Sequence, residues 1–233
     1  MTAPPSHDEA RGVRILGAVL AGGVGRRFGG DKTVAEVGGI PLIRRGWEAL
    51  SDSCEEVVVV SSRADTPEGP WRVIPDLRPA AGPLAGIEAA LTALGEAVSR
   101  SGGAERQESP GTRDAVAVLA ADMPLVDGAA VARLVDAYRG ADARVQAVAA
   151  ARNGEPPFEP LCAVYSMRCL PVATALLDEG RWAAVNLFSA MSGLTVALGD
   201  AASMNVNTRA DRALAEARLR ASAGLAPPTE EMK

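Results

Sequence analysis

The chain has 233 residues, of which 48% are hydrophobic but only 3% aromatic, so one large α/β domain with a core of Ala, Val and Leu is expected rather than one built on large rings. A formal net charge of -5 argues against a general nucleic-acid or anionic-membrane binder, and no apolar run reaches the roughly 18 residues that span a bilayer, so the expected partners are small molecules and proteins. Three cysteines (Cys54, Cys162, Cys169) without a CxxC pair, and a single histidine, His7, favour neither a disulfide framework, a thiolate zinc site nor a histidine triad, which leaves the chemistry to carboxylates, Arg, Lys and backbone amides.

The opening MTAPPSHDEARG has no apolar stretch of the kind a signal peptide carries, so a cytoplasmic protein is expected, with residues 1–13 read as a disordered leader. The tail 223–233, rich in Pro and charge, reads the same way, and 14–222 reads as one domain. Along it, Ile15 to Leu20, Val57 to Val60, Val73 to Ile74, Ala115 to Ala120 and Val145 to Ala150 read as buried strands. Between them Pro41 to Leu50, Pro83 to Val98 and Gly128 to Tyr138 carry apolar residues at three- and four-residue spacing, as crossover helices do. The alternation predicts a single doubly wound, mostly parallel sheet of Rossmann-like type. Residues 99–114, polar and Gly/Ser-rich, read as a flexible surface insertion.

The first strand runs into Ala21-Gly-Gly-Val-Gly-Arg-Arg-Phe-Gly-Gly-Asp-Lys32, with five glycines between Gly22 and Gly30. Such a loop lets successive backbone N–H groups approach phosphate oxygens, and Arg26, Arg27 and Lys32 add cationic donors. The Walker pattern fails because Asp31, not Gly, precedes Lys32, and the dinucleotide fingerprint fails because Phe28 stands where a third Gly is needed. Of 24 basic residues only Lys32 and the terminal Lys233 are lysine, so a compact ammonium has been kept at this loop in a chain that otherwise uses arginine.

Downstream, Asp76 follows a strand and Gly82-Pro-Leu-Ala-Gly86 opens a helix whose N-terminus is expected to offer free amides. Ala120-Ala-Asp-Met-Pro124 puts Asp122 at the carboxyl end of a strand, where ligands of open α/β sheets bind and where one carboxylate can hold Mg2+ with water and phosphates; the competing reading of Asp122 is a helix cap. Later come Glu159-Pro-Leu-Cys-Ala-Val-Tyr165 and Asn205-Val-Asn-Thr208.

These five blocks, in this order over roughly residues 14 to 218, resemble the molybdenum cofactor guanylyltransferases, members of the molybdopterin nucleotidyltransferase family: LAGG, then RMG and DK (with Phe28 in place of Met), GPLAG, DxP, PLxALY and NxNTP. The resemblance implies a Mg2+-dependent cytoplasmic enzyme that transfers GMP from GTP to molybdopterin and releases pyrophosphate, with other cofactor-biosynthesis proteins as possible partners. It implies that Leu20, Ala21, Gly22 and Gly23 hold base and ribose, that Arg27 and Lys32 hold the triphosphate, that Asp76 and Gly82 belong to the nucleotide pocket and that Asp122 binds the metal. Asn205 and Asn207 would serve the acceptor substrate or the metal. The chain departs from the pattern at Ser61 and Ser62, where relatives carry Asn, at Arg209 in place of Pro, and at the insertion. A cytidylyltransferase of the same cofactor is the alternative, disfavoured because its signature reads LAAG and lacks GPLAG; sugar-phosphate nucleotidyltransferases and a noncatalytic nucleotide-binding protein are further alternatives.

Overall fold

The computed structural model describes residues 13–22, 35–63, 66–100, 113–199 and 204–222, to which all that follows is confined. Seven strands form one sheet: β1 (Ile15–Leu20), β4 (Glu56–Val60), β5 (Arg72–Ile74), β6 (Ala115–Ala120), β7 (Ala147–Ala151), β8 (Phe158–Ser166) and β9 (Gly193–Ala197), in the order β5-β4-β1-β6-β8-β7-β9. A separate two-stranded hairpin joins β2 (Glu36–Val37) to β3 (Ile40–Pro41). Only β8 runs antiparallel to its sheet neighbours, so the expected mostly parallel α/β sheet is the observed one.

The helices are α1 (Leu42–Ser51), α2 (Gly82–Arg100), α3 (Gly128–Gly140), α4 (Leu170–Asp178), α5 (Ala184–Ala190) and α6 (Arg209–Ser222). Helix α2 runs two residues into the expected insertion, and Arg113 and Asp114 are packed at its other end, so only residues 101–112 of that stretch lie outside the described residues.

Successive side chains of a strand face opposite sides of a sheet, and here both sides are buried. On one face Leu16, Ala18, Val58, Val60, Val116 and Val118 pack beneath α2, α4 and α5. On the other, Ile15, Val19, Val57, Val59, Ala117 and Leu119 meet α1 and α3. The small side chains of α2, with Ala85, Ala89, Ala90 and Ala93 all buried, let it lie close to the sheet, as the scarcity of aromatic residues predicts. A third cluster joins Val37 and Leu42 to Met204, Val206 and Ala215, tying the hairpin, α1 and α6 together.

Cys162 and Cys169 are buried and Cys54 is partly so, all as free thiols; burial pushes each up to about 12. No described helix is long and apolar enough to cross a membrane.

Candidate active site at the carboxyl ends of the strands

Strands β4, β1 and β6 end level, Leu20 standing opposite Val60 on one side and Ala120 on the other. The ladder continues one step past each end: Ala21 N–H donates to Val60 O (3.0 Å) and Ala121 N–H to Leu20 O (3.1 Å). Because β4 lies on one side of β1 and β6 on the other, the connections leaving β1 and its neighbours part here, and a crevice opens at the switch point of the sheet.

It is a cavity of about 420 Å3. Its floor is Leu20, Ala21 and Gly22 after β1, Val60 of β4, Ala120 to Asp122 after β6 and Leu161 of β8; its wall is Asp76, Ala80 and the start of α2 at Gly82, Pro83 and Gly86. Six of the expected site residues, Leu20, Ala21, Gly22, Asp76, Gly82 and Asp122, therefore share one chamber. Gly23, Arg27 and Lys32 lie outside the described residues.

Asn205 and Asn207 reach the same neighbourhood by the backbone. Val206, fully buried between them, donates its N–H to the main-chain oxygen of Asp122 (2.8 Å). The segment enters α6 through a capping box: Asn207 and Thr208 N–H groups donate to Asp211 Oδ2 (2.9 and 2.8 Å), and Asp211 N–H donates to Thr208 Oγ1 (3.1 Å).

The competing role for Asp122 as a helix cap is not what the structure shows for the helix that follows it, because Asp127 is the N-cap of α3, its Oδ1 accepting from Ala130 N–H (2.8 Å). The expectation of free amides at the start of α2 needs correction. Pro83 has no N–H, and Leu84 N–H donates to Trp182 O (3.3 Å), so two of the first positions of this helix offer no free amide. Gly82 makes that contact possible: its φ is +72°, and a Cβ there would stand 2.9 Å from Trp182 O.

Ser61, at the departure from the family pattern, is buried and engaged in the turn after β4, its Oγ accepting from Thr66 Oγ1 (2.8 Å) and Arg63 N–H (3.3 Å); Ser62 is exposed. Neither residue lines the cavity.

Electrostatically the site is a desolvated acidic place. Burial holds the Asp76 carboxyl above its usual range, the N–H of Arg78 on its Oδ1 (2.9 Å) offsets this in part, and the charge of Glu88 adds to the rise. Glu159 is buried and likewise raised by burial, with Leu161 N–H and Arg152 acting downward and the negative charge of Asp122 acting upward. A buried carboxyl with a second negative charge beside it is a setting that a divalent cation would relieve. Among the described residues no group of three or more His, Cys, Asp or Glu is gathered, and a divalent metal held by Asp122 would fill its remaining positions from phosphates and water. Reasoning from sequence did not single out Glu159 as a charge beside Asp122, nor Arg78, although a charged residue inside the apolar run of α2, Glu88, was a signal that a cationic partner had to exist.

Residues 17–193 match the family described as the MobA-like NTP transferase domain. The chain belongs to this family. A probable molybdenum cofactor guanylyltransferase of Deinococcus radiodurans is 32% identical over 85% of this chain and 92% of its own, and a molybdenum cofactor guanylyltransferase of Cereibacter sphaeroides is 32% identical over 91% and 100%. Among solved structures, the molybdopterin-guanine dinucleotide biosynthesis protein A of Archaeoglobus fulgidus superposes with a TM-score of 0.67 at 24% identity, covering 88% of this chain and 99% of that one. A 2-C-methyl-D-erythritol 4-phosphate cytidylyltransferase of Thermus thermophilus does so at 0.59 and 18%, covering 89% and 98%. These structural likenesses establish the fold, that of the nucleotidyltransferases; the sequence relatives establish the molybdenum cofactor guanylyltransferase branch, and the chain is a nucleotidyltransferase.

Proposed function

We propose that this enzyme transfers GMP from GTP to molybdopterin, forming the guanine dinucleotide of the cofactor and pyrophosphate, in the cytoplasm and through a single catalytic domain spanning residues 14–222. The observation that carries the reading is the convergence of Leu20 to Gly22, Asp76, Gly82 and Asp122 on one cavity at the switch point of the sheet.

In the reaction an oxygen of the acceptor's terminal phosphate attacks the α-phosphorus of GTP. The bond from that phosphorus to the bridging oxygen breaks, and its electron pair leaves with pyrophosphate. No protein nucleophile is required, so the protein's part is positioning and charge stabilisation. The apolar floor of Leu20, Val60 and Leu161 suits the face of a base, and the Asp76 carboxylate, an acceptor only, suits the N1–H and 2-amino donors that guanine presents side by side. Adenine and cytosine each pair one donor with an acceptor at the corresponding edge and are disfavoured. Asp122, with Glu159 adding negative charge beside it, would hold Mg2+, which would supply neutralisation of charge on the phosphates. Lys32 and Arg27 are assigned to the β- and γ-phosphates on their places in the glycine-rich loop, and Asn205 and Asn207 to the acceptor side, on the tie between Val206 and Asp122.

The test is a nucleotide panel followed by turnover. GTP with Mg2+ is expected to raise Tm more than CTP, ATP or UTP, since a ligand stabilises the native state by mass action. GTP, Mg2+ and molybdopterin together are expected to yield pyrophosphate and the guanylated product. A CTP preference moves the enzyme to the cytidylyl branch, and binding without pyrophosphate release overturns the catalytic reading.

A further inference from the structure

The wall of the cavity between β5 and α2 is a loop with little core of its own: Asp76 is half-buried, Leu77 and Ala80 are exposed, and Ala80 sits at φ +66°, a conformation that an L side chain adopts only under strain. Something outside the loop must hold it. Within the loop, Arg78 uses its backbone in both directions, its N–H donating to Asp76 Oδ1 (2.9 Å) and its C=O accepting from Ala81 N–H (3.0 Å). Its side chain then leaves the loop. The guanidinium grips Glu88 of α2 with two donors, Nε to Oε2 (2.9 Å) and Nη2 to Oε1 (3.2 Å), while Nη1 donates to Asp178 Oδ1 at the last turn of α4. Glu88, buried inside the apolar run of α2, is itself fixed by Thr174 Oγ1 of α4 (2.8 Å).

The same residue thus orients the cavity carboxylate through its backbone and is anchored to two helices through its side chain. A planar guanidinium with donors on three nitrogens can do this, and an ammonium cannot reproduce it. We propose that Arg78 is the positioning residue for base recognition: by pinning the 75–81 loop to Glu88 and Asp178, it aims the Asp76 carboxylate at the nucleotide and so sets the preference for guanine. This rests on the proposed role of Asp76 as reader of the guanine edge. Arg78 itself does not line the cavity.

The experiment measures Kd for GTP and for ITP, which lacks only the 2-amino group, by titration calorimetry with Mg2+ and no acceptor, alongside Tm. The variants are Asp76→Asn, Arg78→Met, Arg78→Lys and Asp178→Asn. Wild type is expected to favour GTP over ITP by about tenfold or more, the value of one hydrogen bond to a charged group. Both Asp76→Asn and Arg78→Met are expected to bring that ratio close to one, with Arg78→Lys intermediate and Asp178→Asn, which weakens a single arm by removing its charge and keeps Glu88 gripped, mildly affected. A role in stability alone would lower Tm and weaken both nucleotides equally. Loss of discrimination in Asp76→Asn but not in Arg78→Met or Asp178→Asn overturns the positioning role and leaves Asp76 as reader. No discrimination in wild type, or full discrimination in Asp76→Asn, overturns the reading of Asp76 and the Arg78 proposal with it. Should Arg78→Met not fold, the decision passes to Arg78→Lys and Asp178→Asn, whose unchanged ratios would sink the proposal.

Discussion

At the amino-terminal end of β1 and β6 most polar groups are tied into the frame: Asp114, buried, accepts on Oδ1 from Arg14 N–H (3.0 Å) and on its main-chain oxygen from Met167 N–H (2.8 Å), while its Oδ2 has no hydrogen-bond partner among the described residues. Beside it Arg113 donates to the last carbonyls of α3, Tyr138 O (2.6 Å) and Arg139 O (3.3 Å), lies 5.0 Å over the Tyr138 ring, and accepts on its own carbonyl from the Tyr138 hydroxyl (2.9 Å). At the carboxyl end of the same strands Asp76 and Glu159 are carboxylates held above their usual range, and Ala80 and Gly82 sit at positive φ. One end spends most of its polar groups on holding the fold. The other keeps charge desolvated and backbone strained, ready for a ligand that brings cations and hydrogen-bond donors. Stability and function should therefore separate between the two ends.

The widest separation is expected at Asp122. Asp122→Asn keeps the volume and removes the charge, and turnover is expected to fall about 100- to 1000-fold, or about 3–4 kcal/mol of barrier, with little change in Tm. Partial recovery with Mn2+ in place of Mg2+, followed by pyrophosphate release, would locate the loss at the metal, because Mn2+ accepts less regular ligands. An equal loss of Tm and activity would erase the contrast between the ends.

The converse is expected at Arg113. Arg113→Ala removes charge-assisted bonds at a helix C-terminus and the contact over the tyrosine, partly offset because its buried Nε has no partner among the described residues. A loss of about 2 kcal/mol, or about 4–8 °C in Tm, is expected with Kd for GTP unchanged.

The smallest effect sharpens the comparison by its sign. A carboxyl whose folded pKa is raised favours the folded state in its protonated form, and that advantage is lost as pH rises through the folded pKa. Wild type should therefore carry a small cost from ionised Asp76 at neutral pH. Asp76→Asn, which still accepts from Arg78 N–H, is expected to have a slightly higher Tm at pH 7 than wild type and none of that gain below the carboxylate range, in melts followed from pH 3 to pH 8. A lower Tm at pH 7 would show that the loop depends on the charge itself.

Much of this was legible in advance where burial alone decides. Ile15 to Leu20 and Ala115 to Ala120 are strands because an apolar run covered on both faces has no other use between helical stretches, and the site residues at their ends follow from the fold. The β2–β3 hairpin carried a signal that went unused, Gly38-Gly39 between Val37 and Ile40, both glycines at positive φ. β9 carried only a short one, Leu194 and Val196 flanking Thr195, and its largely exposed residues owe their strand geometry to pairing with β7. The Arg78 network is of the same kind. Arg78, Glu88, Thr174 and Asp178 are brought together by the packing of α2 on α4, and separations of 10 to 100 residues leave no local pattern to read.

The three thiols have a practical consequence for watching this enzyme work. Thiolate is the reactive form, and burial, by pushing each group up to about 12, keeps these thiols protonated at neutral pH. The native thiols are therefore expected to react slowly with alkylating dyes, and a single cysteine placed on the exposed surface at Leu77 is expected to take most of the label, turning the loop that walls the cavity into a reporter of its occupancy.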